Sequence, residues 1–229
     1  MQQTLSDRLA IVRERIANAC RRADRSPDGV ELIAVTKKHP ARTLQKLIDC
    51  GVTHLGENRV HEIVEKVPRL SGSFVMHCIG HLQTNKAAKV LPYVQMVQSV
   101  DRLRLVETLE RHLPAGATLP VLIEVNTSGE VAKSGCEAGE SRMLLERMLG
   151  GKRLVPKGFM TIGPLGGSER ETRAAFSLLR TTAEQHRDLV AAPQLSMGMS
   201  GDFEWAIGEG ATMVRIGTLL LGERSSCTV

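Results

Sequence analysis

A lysine closing an apolar run is the first chemically loaded feature of the chain. Ile33, Val35 and Lys37 alternate along residues 31–37, so one face carries two aliphatic side chains and then an amine. If that face points into a core, burial disfavours the ammonium form and lowers the lysine pKa. A neutral amine is a nucleophile that can condense with an aldehyde to give a Schiff base. A lysine at a strand end can equally snorkel to solvent. Lys38 faces the other way and would add positive potential.

Two turns near the C-terminus suit an anion. Gly198-Met199-Ser200-Gly201-Asp202 and Gly217-Thr218 each lead into a helical stretch. Small residues there let backbone N–H groups approach a negative group, and helix N-termini favour negative charge. Ordinary capping by Ser200 or Asp202 is the plainer alternative. Between the turns, Arg215 interrupts an apolar run, Met213-Val214-Arg215-Ile216-Gly217. Buried arginine is rare unless paired. Its partner could be a ligand, or a structural carboxylate such as Glu124 or Glu57. Asn58, beside Glu57, could orient a ligand or cap the next helix. His77 and His81 flank Cys78 without a further cluster that would complete a metal site. Lys133 sits in a polar loop, where lysines are usually solvated. No Walker A, GxSxG or HExxH pattern occurs.

These residues need elements to hold them. Leu5, Leu9, Val12 and Ile16 form one face of an amphipathic helix over roughly residues 3–23, which Ser26-Pro27-Asp28-Gly29 ends. Eight short strand candidates follow: 31–37, 53–58, 75–80, 96–100, 119–126, 157–162, 194–199 and 213–217. Helical stretches lie between them: 41–50, 59–67, 84–91, 101–113, 140–149, 171–189 and 202–210. Alternating strands and helices predict βα units around a parallel sheet. Eight units predict an α/β fold closed as a single (β/α)8 TIM barrel, with the N-terminal helix and turn (residues 1–29) packed on it. The chain beyond Gly29 just reaches the ~200-residue lower bound for such barrels. An open doubly wound sheet would announce itself with a glycine-rich turn after the first strand. Here that strand ends in Thr36-Lys37-Lys38-His39-Pro40. In a barrel, function collects at the C-terminal strand ends, where Lys37, Asn58, Ser200, Gly217 and Thr218 all fall.

Composition excludes other classes. The 229 residues are 42% hydrophobic and 24% charged, which is enough apolar material for a core. Only four Phe, one Trp and one Tyr occur, too few rings for stacking-based nucleic-acid recognition. The net charge of +5 comes without basic blocks, so a small anion is a simpler partner than nucleic acid. Cys20, Cys50, Cys78, Cys136 and Cys227 show no CxxC spacing, as expected of reduced thiols in a cytoplasmic protein. Neither a signal peptide nor a membrane span is expected.

An amine, an anion site and an in-strand arginine together fit a phosphorylated aldehyde, and pyridoxal 5′-phosphate (PLP) meets all three. The segments that carry them resemble the pyridoxal phosphate homeostasis protein (YggS/PROSC) family: IAVTKKHP, HLGENRVHE, HCIGHLQTNK, VDRLRL, EVNTSGEVAKSG, GFMTIGP, LSMGMSGDFEWAI and GATMVRIGTLLLGER. They run in order over residues 33–224, nearly the whole chain. The resemblance implies a barrel like the N-terminal domain of alanine racemase. It matches Lys37 to the lysine that takes the aldehyde and Arg215 to the arginine near the pyridine nitrogen. It matches Ser200, Gly217 and Thr218 to the phosphate turns, and Asn58 to a site-lining position. The expected cofactor-binding set is therefore Lys37, Asn58, Met199, Ser200, Arg215, Gly217 and Thr218, with no catalytic residue and no metal ligand. Some members carry threonine and lysine where this chain has Lys38 and His39.

Family members are not known to catalyse a defined reaction, so the resemblance implies a monomeric PLP carrier or regulator in the cytoplasm. Enzymes that need the cofactor are candidate recipients. An amino-acid racemase or lyase is the alternative. A racemase of this barrel type needs a second acid/base, a tyrosine supplied by another domain. The only tyrosine here is Tyr93, ahead of the fourth strand. An arginine beside the pyridine nitrogen also makes a poorer electron sink than a carboxylate there. A Schiff-base aldolase acting on sugar phosphates would use the same lysine and anion site.

Overall fold

The computed structural model describes residues 3–130 and 132–222; Cys227 and the end of the last family-like segment lie outside the described residues. Eight parallel strands close into a barrel in chain order. They are β1 (Glu31–Val35), β2 (His54–Glu57), β3 (Val75–Cys78), β4 (Met96–Val100), β5 (Leu119–Glu124), β6 (Leu154–Met160), β7 (Gln194–Ser196) and β8 (Met213–Ile216). The helices are α1 (Leu5–Arg22), α2 (Ala41–Asp49), α3 (Val60–Lys66), α4 (Ala87–Val90), α5 (Leu103–His112), α6 (Ser141–Gly151), α7 (Glu169–Gln185), α8 (Phe203–Gly208) and α9 (Thr218–Leu221). The expected (β/α)8 barrel is the observed one.

Two apolar layers hold it. The outer layer lies between strands and helices and includes Leu44, Leu47, Ile63, Leu105, Leu109, Phe159, Phe176, Phe203 and Ile207. The inner cluster is small: Ile33, Met96, Leu122, Met160 and Met213. Register explains who shares the interior. Ile33 pairs with Arg215, Gly56 with His77 and His77 with Met96. A Cβ at Gly56 would lie 2.9 Å from Ile33 Cγ2, so glycine makes room for the isoleucine. The interior face of β1 is thus that of Ile33 and Val35.

The N-terminal helix starts with a reciprocal cap, in which Asp7 N–H donates to Thr4 Oγ1 and Thr4 N–H donates to Asp7 Oδ2. Its buried stripe is Leu9, Val12, Ile16 and Ala19, while Leu5 is only half-buried. The helix packs on α8 and α9. Arg15 makes a two-pronged bond to Glu204, at 3.1 and 3.0 Å. Arg25 then donates to the Ile207 and Ala211 carbonyls. The helix is thereby stitched beneath the elements that follow β7 and β8.

Several boundaries differ from expectation; β7, for example, ends at Ser196 and not at residue 199. β1 stops at Val35, and Lys37 stands in the turn after it. β6 begins at Leu154, ahead of Pro156 and Lys157. A register shift there opposes Val121 to Pro156 and Leu122 to Gly158, leaving Lys157 as the extra residue of a bulge. A bulge tolerates the N–H that proline lacks. The stretch 84–91 is a 3-10 turn, Thr84–Lys86, followed by the short α4.

Candidate functional site

The C-terminal ends of the strands enclose a cavity of about 230 Å³. Lys37, Asn58, Met199, Ser200, Arg215, Gly217 and Thr218 all line it, so one cavity brings together the seven residues of the expected cofactor-binding set. Val35, Ile79 and Ile162 add apolar wall, and His39 and Gly201 add polar rim. Sequence reasoning passed over Ile79 and Ile162 as ligand walls; their positions just beyond β3 and β6 were the available signal.

Arg215 is 4% exposed and sits on the interior face of β8. It donates to Ser196 Oγ at 2.7 Å and to the Thr161 carbonyl at 2.7 Å. Burial lowers its pKa to about 10, with Asp202 and Glu124 pulling it up, so it stays charged at neutral pH. Of its two candidate carboxylates, Glu57 belongs instead to Lys66, 2.6 Å away, whereas Glu124 acts on Arg215 only through its field. Behind Arg215 the bonds continue down the barrel. Ser196 Oγ donates to Gln98 Oε1 at 2.7 Å. Gln98 Nε2 lies 3.0 Å from His77 Nδ1, and His77 Nε2 lies 2.9 Å from His54 Nδ1. Burial, then His54, pushes His77 down to about 3, so it is a neutral core histidine. Aligned bonds of this kind polarise one another and hold the guanidinium in one pose.

The turns after β7 and β8 are tied together. Gly217 N–H donates to Ser200 Oγ at 3.3 Å. Asp202 precedes α8 but makes no side-chain cap; its carboxylate accepts the Met199 N–H at 2.5 Å. Gly198 has φ +91°, and a Cβ there would lie 2.8 Å from Phe203 Cα. Only glycine fits that bend.

Asn58 does not cap α3, whose N-cap is Arg59. Its Oδ1 is buried and has no hydrogen-bond partner among the described residues. Asn58, Ile79 and Ile162 also line a second cavity of about 190 Å³, with Glu124, His81 and Lys133. Glu124 is 4% exposed, and burial followed by Asp101 pushes its carboxyl up to about 7. Lys133 bonds Glu130 at 2.6 Å and the Gly163 carbonyl at 2.7 Å, so it is a partnered loop lysine. His81 lies 3.5 Å from Asp101. Tyr93 lies in a 3-10 turn before β4, at the opposite end of the strands from the cavity.

Comparison with known proteins gives the family and the fold. The model of the alanine racemase N-terminal domain family matches residues 8–225. A pyridoxal phosphate homeostasis protein of Aquifex aeolicus is 40% identical over 95% of this chain and 97% of its own. The chain belongs to the pyridoxal phosphate homeostasis protein family. A family member of Pseudomonas aeruginosa is 39% identical over 96% of both chains. Among solved structures, PipY of Synechococcus elongatus with PLP bound superposes with TM-score 0.84 at 33% identity, covering 96% of this chain and 100% of PipY. An alanine racemase of Clostridium difficile shares the fold at TM-score 0.73 and 16% identity, this chain spanning 58% of its length. Among the described residues no helix is long and apolar enough to cross a membrane, and no group of three or more His, Cys, Asp or Glu could hold a metal ion.

Proposed function

We propose that this protein holds pyridoxal 5′-phosphate on Lys37 and serves its supply in the cytoplasm, as a carrier rather than a catalyst. The observation that carries the reading is the convergence on one cavity of Lys37, Arg215 and the turns at Ser200 and Gly217-Thr218. The residues fit the group. When bound, it brings an aldehyde that a lysine amine can take up. Ser200, Gly217 and Thr218 supply hydroxyl and N–H groups of the kind that hold a phosphate. Met199 and Ile162 line the rim and would offer the ring apolar contact. The buried Asn58 Oδ1, without a partner among the described residues, is an acceptor for a ligand hydroxyl.

Arg215 bears on the carrier reading. A guanidinium still protonated at neutral pH offers the pyridine nitrogen no carboxylate, so the ring is a weak electron sink. Tyr93, the one tyrosine of the sequence, stands at the wrong end of the strands to act as a second acid/base. The Aquifex aeolicus and Pseudomonas aeruginosa relatives, both named homeostasis proteins, support the same assignment. Recipients would be enzymes that need the cofactor, with the carrier acting as a monomer.

The test is to titrate purified protein with PLP and follow its lysine-linked absorption band, with Lys37→Ala as control. The loaded protein is then incubated with a panel of amino acids. Saturable binding lost in the variant, with no racemisation or CO2 release above free cofactor, is expected. Undiminished binding by the variant refutes the site, and turnover refutes the carrier role.

A further inference from the structure

A buried charge cluster lies directly behind Lys37. Lys66 Nζ, on α3, donates to Glu57 Oε1 at 2.6 Å, to Glu62 Oε2 at 2.5 Å and to the Thr36 carbonyl at 3.1 Å. Glu62 Oε2 also accepts the Lys38 N–H at 2.6 Å. Thr36 Oγ1 donates to Glu57 Oε1 at 2.8 Å. The cluster therefore grips the backbone on both sides of Lys37: the carbonyl of the residue before and the N–H of the residue after. Glu57, Glu62 and Lys66 are 0%, 7% and 6% exposed, so these are not surface pairs.

The turn it grips is not one the chain adopts unaided. Lys38 has φ +65°, a left-handed conformation costly for a residue with a Cβ. His39 N–H closes the turn on the same Thr36 carbonyl that Lys66 contacts. Local sequence offers no glycine to relax it. What over-determines the conformation is the pair of charged contacts from α3. Burial raises Glu57, with Lys66 opposing. Burial also pushes Glu62 up, but bonds from Lys66 and the Lys38 N–H outweigh it and hold that carboxyl below its usual range. The short contacts at 2.6 and 2.5 Å hold Lys66 between the two carboxylates.

We propose that Glu57, Glu62 and Lys66 form a positioning clamp that sets the strained turn at Lys38 and so aims the Lys37 amine into the cavity. The proposal rests on the reading that Lys37 takes the PLP aldehyde. It assigns to α3 a role beyond covering the barrel: the i,i+4 pair Glu62 and Lys66 carries the aim of Lys37 through the backbone on either side of it.

The clamp acts on the amine and not on the phosphate turns, which belong to β7 and β8. That separates it from a general stabilising role. The experiment compares the wild type with Glu62→Ala for two ligands: PLP, and 4-deoxypyridoxine 5′-phosphate, which keeps ring and phosphate but lacks the aldehyde. Affinities are measured by fluorescence titration below the melting temperature of each variant. A misplaced amine should weaken PLP by about tenfold or more while the deoxy analogue changes less than about twofold. Glu62→Gln keeps an acceptor for the Lys38 N–H and should recover most of the loss. If Glu62→Ala does not fold, Glu62→Gln carries the same comparison, with a smaller loss confined to PLP. Parallel losses for both ligands, or no loss for either, overturn the clamp. Wild-type protein that gives no borohydride-trapped adduct on Lys37 overturns the underlying reading instead, so the two failures are distinguishable.

Discussion

Replacing Glu124 with Gln should make the protein more stable, and only above acidic pH. Glu124 ends β5 at 4% exposure, and burial, then Asp101, raises its carboxyl from 4.5 to about 7 against the pull of Arg215 and Arg102. A raised value means that the folded state binds this proton more tightly than the unfolded chain does. The carboxyl therefore adds no penalty below about pH 4.5, and stability is lost as pH climbs through 7. At ~1.4 kcal/mol per pH unit, ionising it in place costs about 3 kcal/mol by pH 8. Glutamine fills the same space and has no proton to lose. Urea denaturation of both proteins from pH 4 to pH 8 measures the difference. The variant should match the wild type near pH 4 and exceed it by about 3 kcal/mol at pH 8, with the rise lying between pH 4.5 and 7. A difference that stays flat with pH, or a variant less stable above pH 7, would refute the burial argument. Because Glu124 lines the second cavity, the same proton sets the charge of that space near neutral pH.

Other perturbations probe the supports of the site. Ser196→Ala removes an acceptor from Arg215 and a donor from Gln98, both buried, and should cost about 1–3 kcal/mol in urea denaturation. The loss should shrink when Gln98 is already leucine, as a double-mutant cycle would report. Gly198→Ala forces a Cβ into a φ of +91° and 2.5 Å from Ala206 Cβ. That strain of about 1–3 kcal/mol should lower the calorimetric melting temperature by about 2–12 °C, at about 2–4 °C per kcal/mol for a chain of this size. The same substitution bends the turn beneath Ser200 and should weaken inorganic phosphate binding, measured by calorimetry.

The barrel was legible because its strands are short, apolar and evenly separated by amphipathic stretches. Each of the eight expected strands overlaps an observed one. Lys37, Ser200 and Gly217-Thr218 could be found by asking only what stands at strand ends. Arg215 was visible as a charge inside an apolar run, but its partners were not. Ser196 and the Thr161 carbonyl come from other strands, and neutral acceptors leave no charge pattern in a sequence. The start of β6 was obscured by Pro156: the expected strand began only at Lys157, which is the extra residue of a bulge behind a paired Pro156. The cluster behind Lys37 was missed although Glu62 and Lys66 stand at helical i,i+4 spacing. Such pairs are usually solvated, and only the tertiary fold turns this one inward against β1 and β2.

Borohydride reduction of the protein mixed with equimolar PLP, followed by peptide mass spectrometry, tests most directly whether Lys37 holds the cofactor. A pyridoxyl mass is expected on the peptide containing Lys37. A pyridoxyl mass found only on Lys133 or another lysine, or on none, would contradict the assignment.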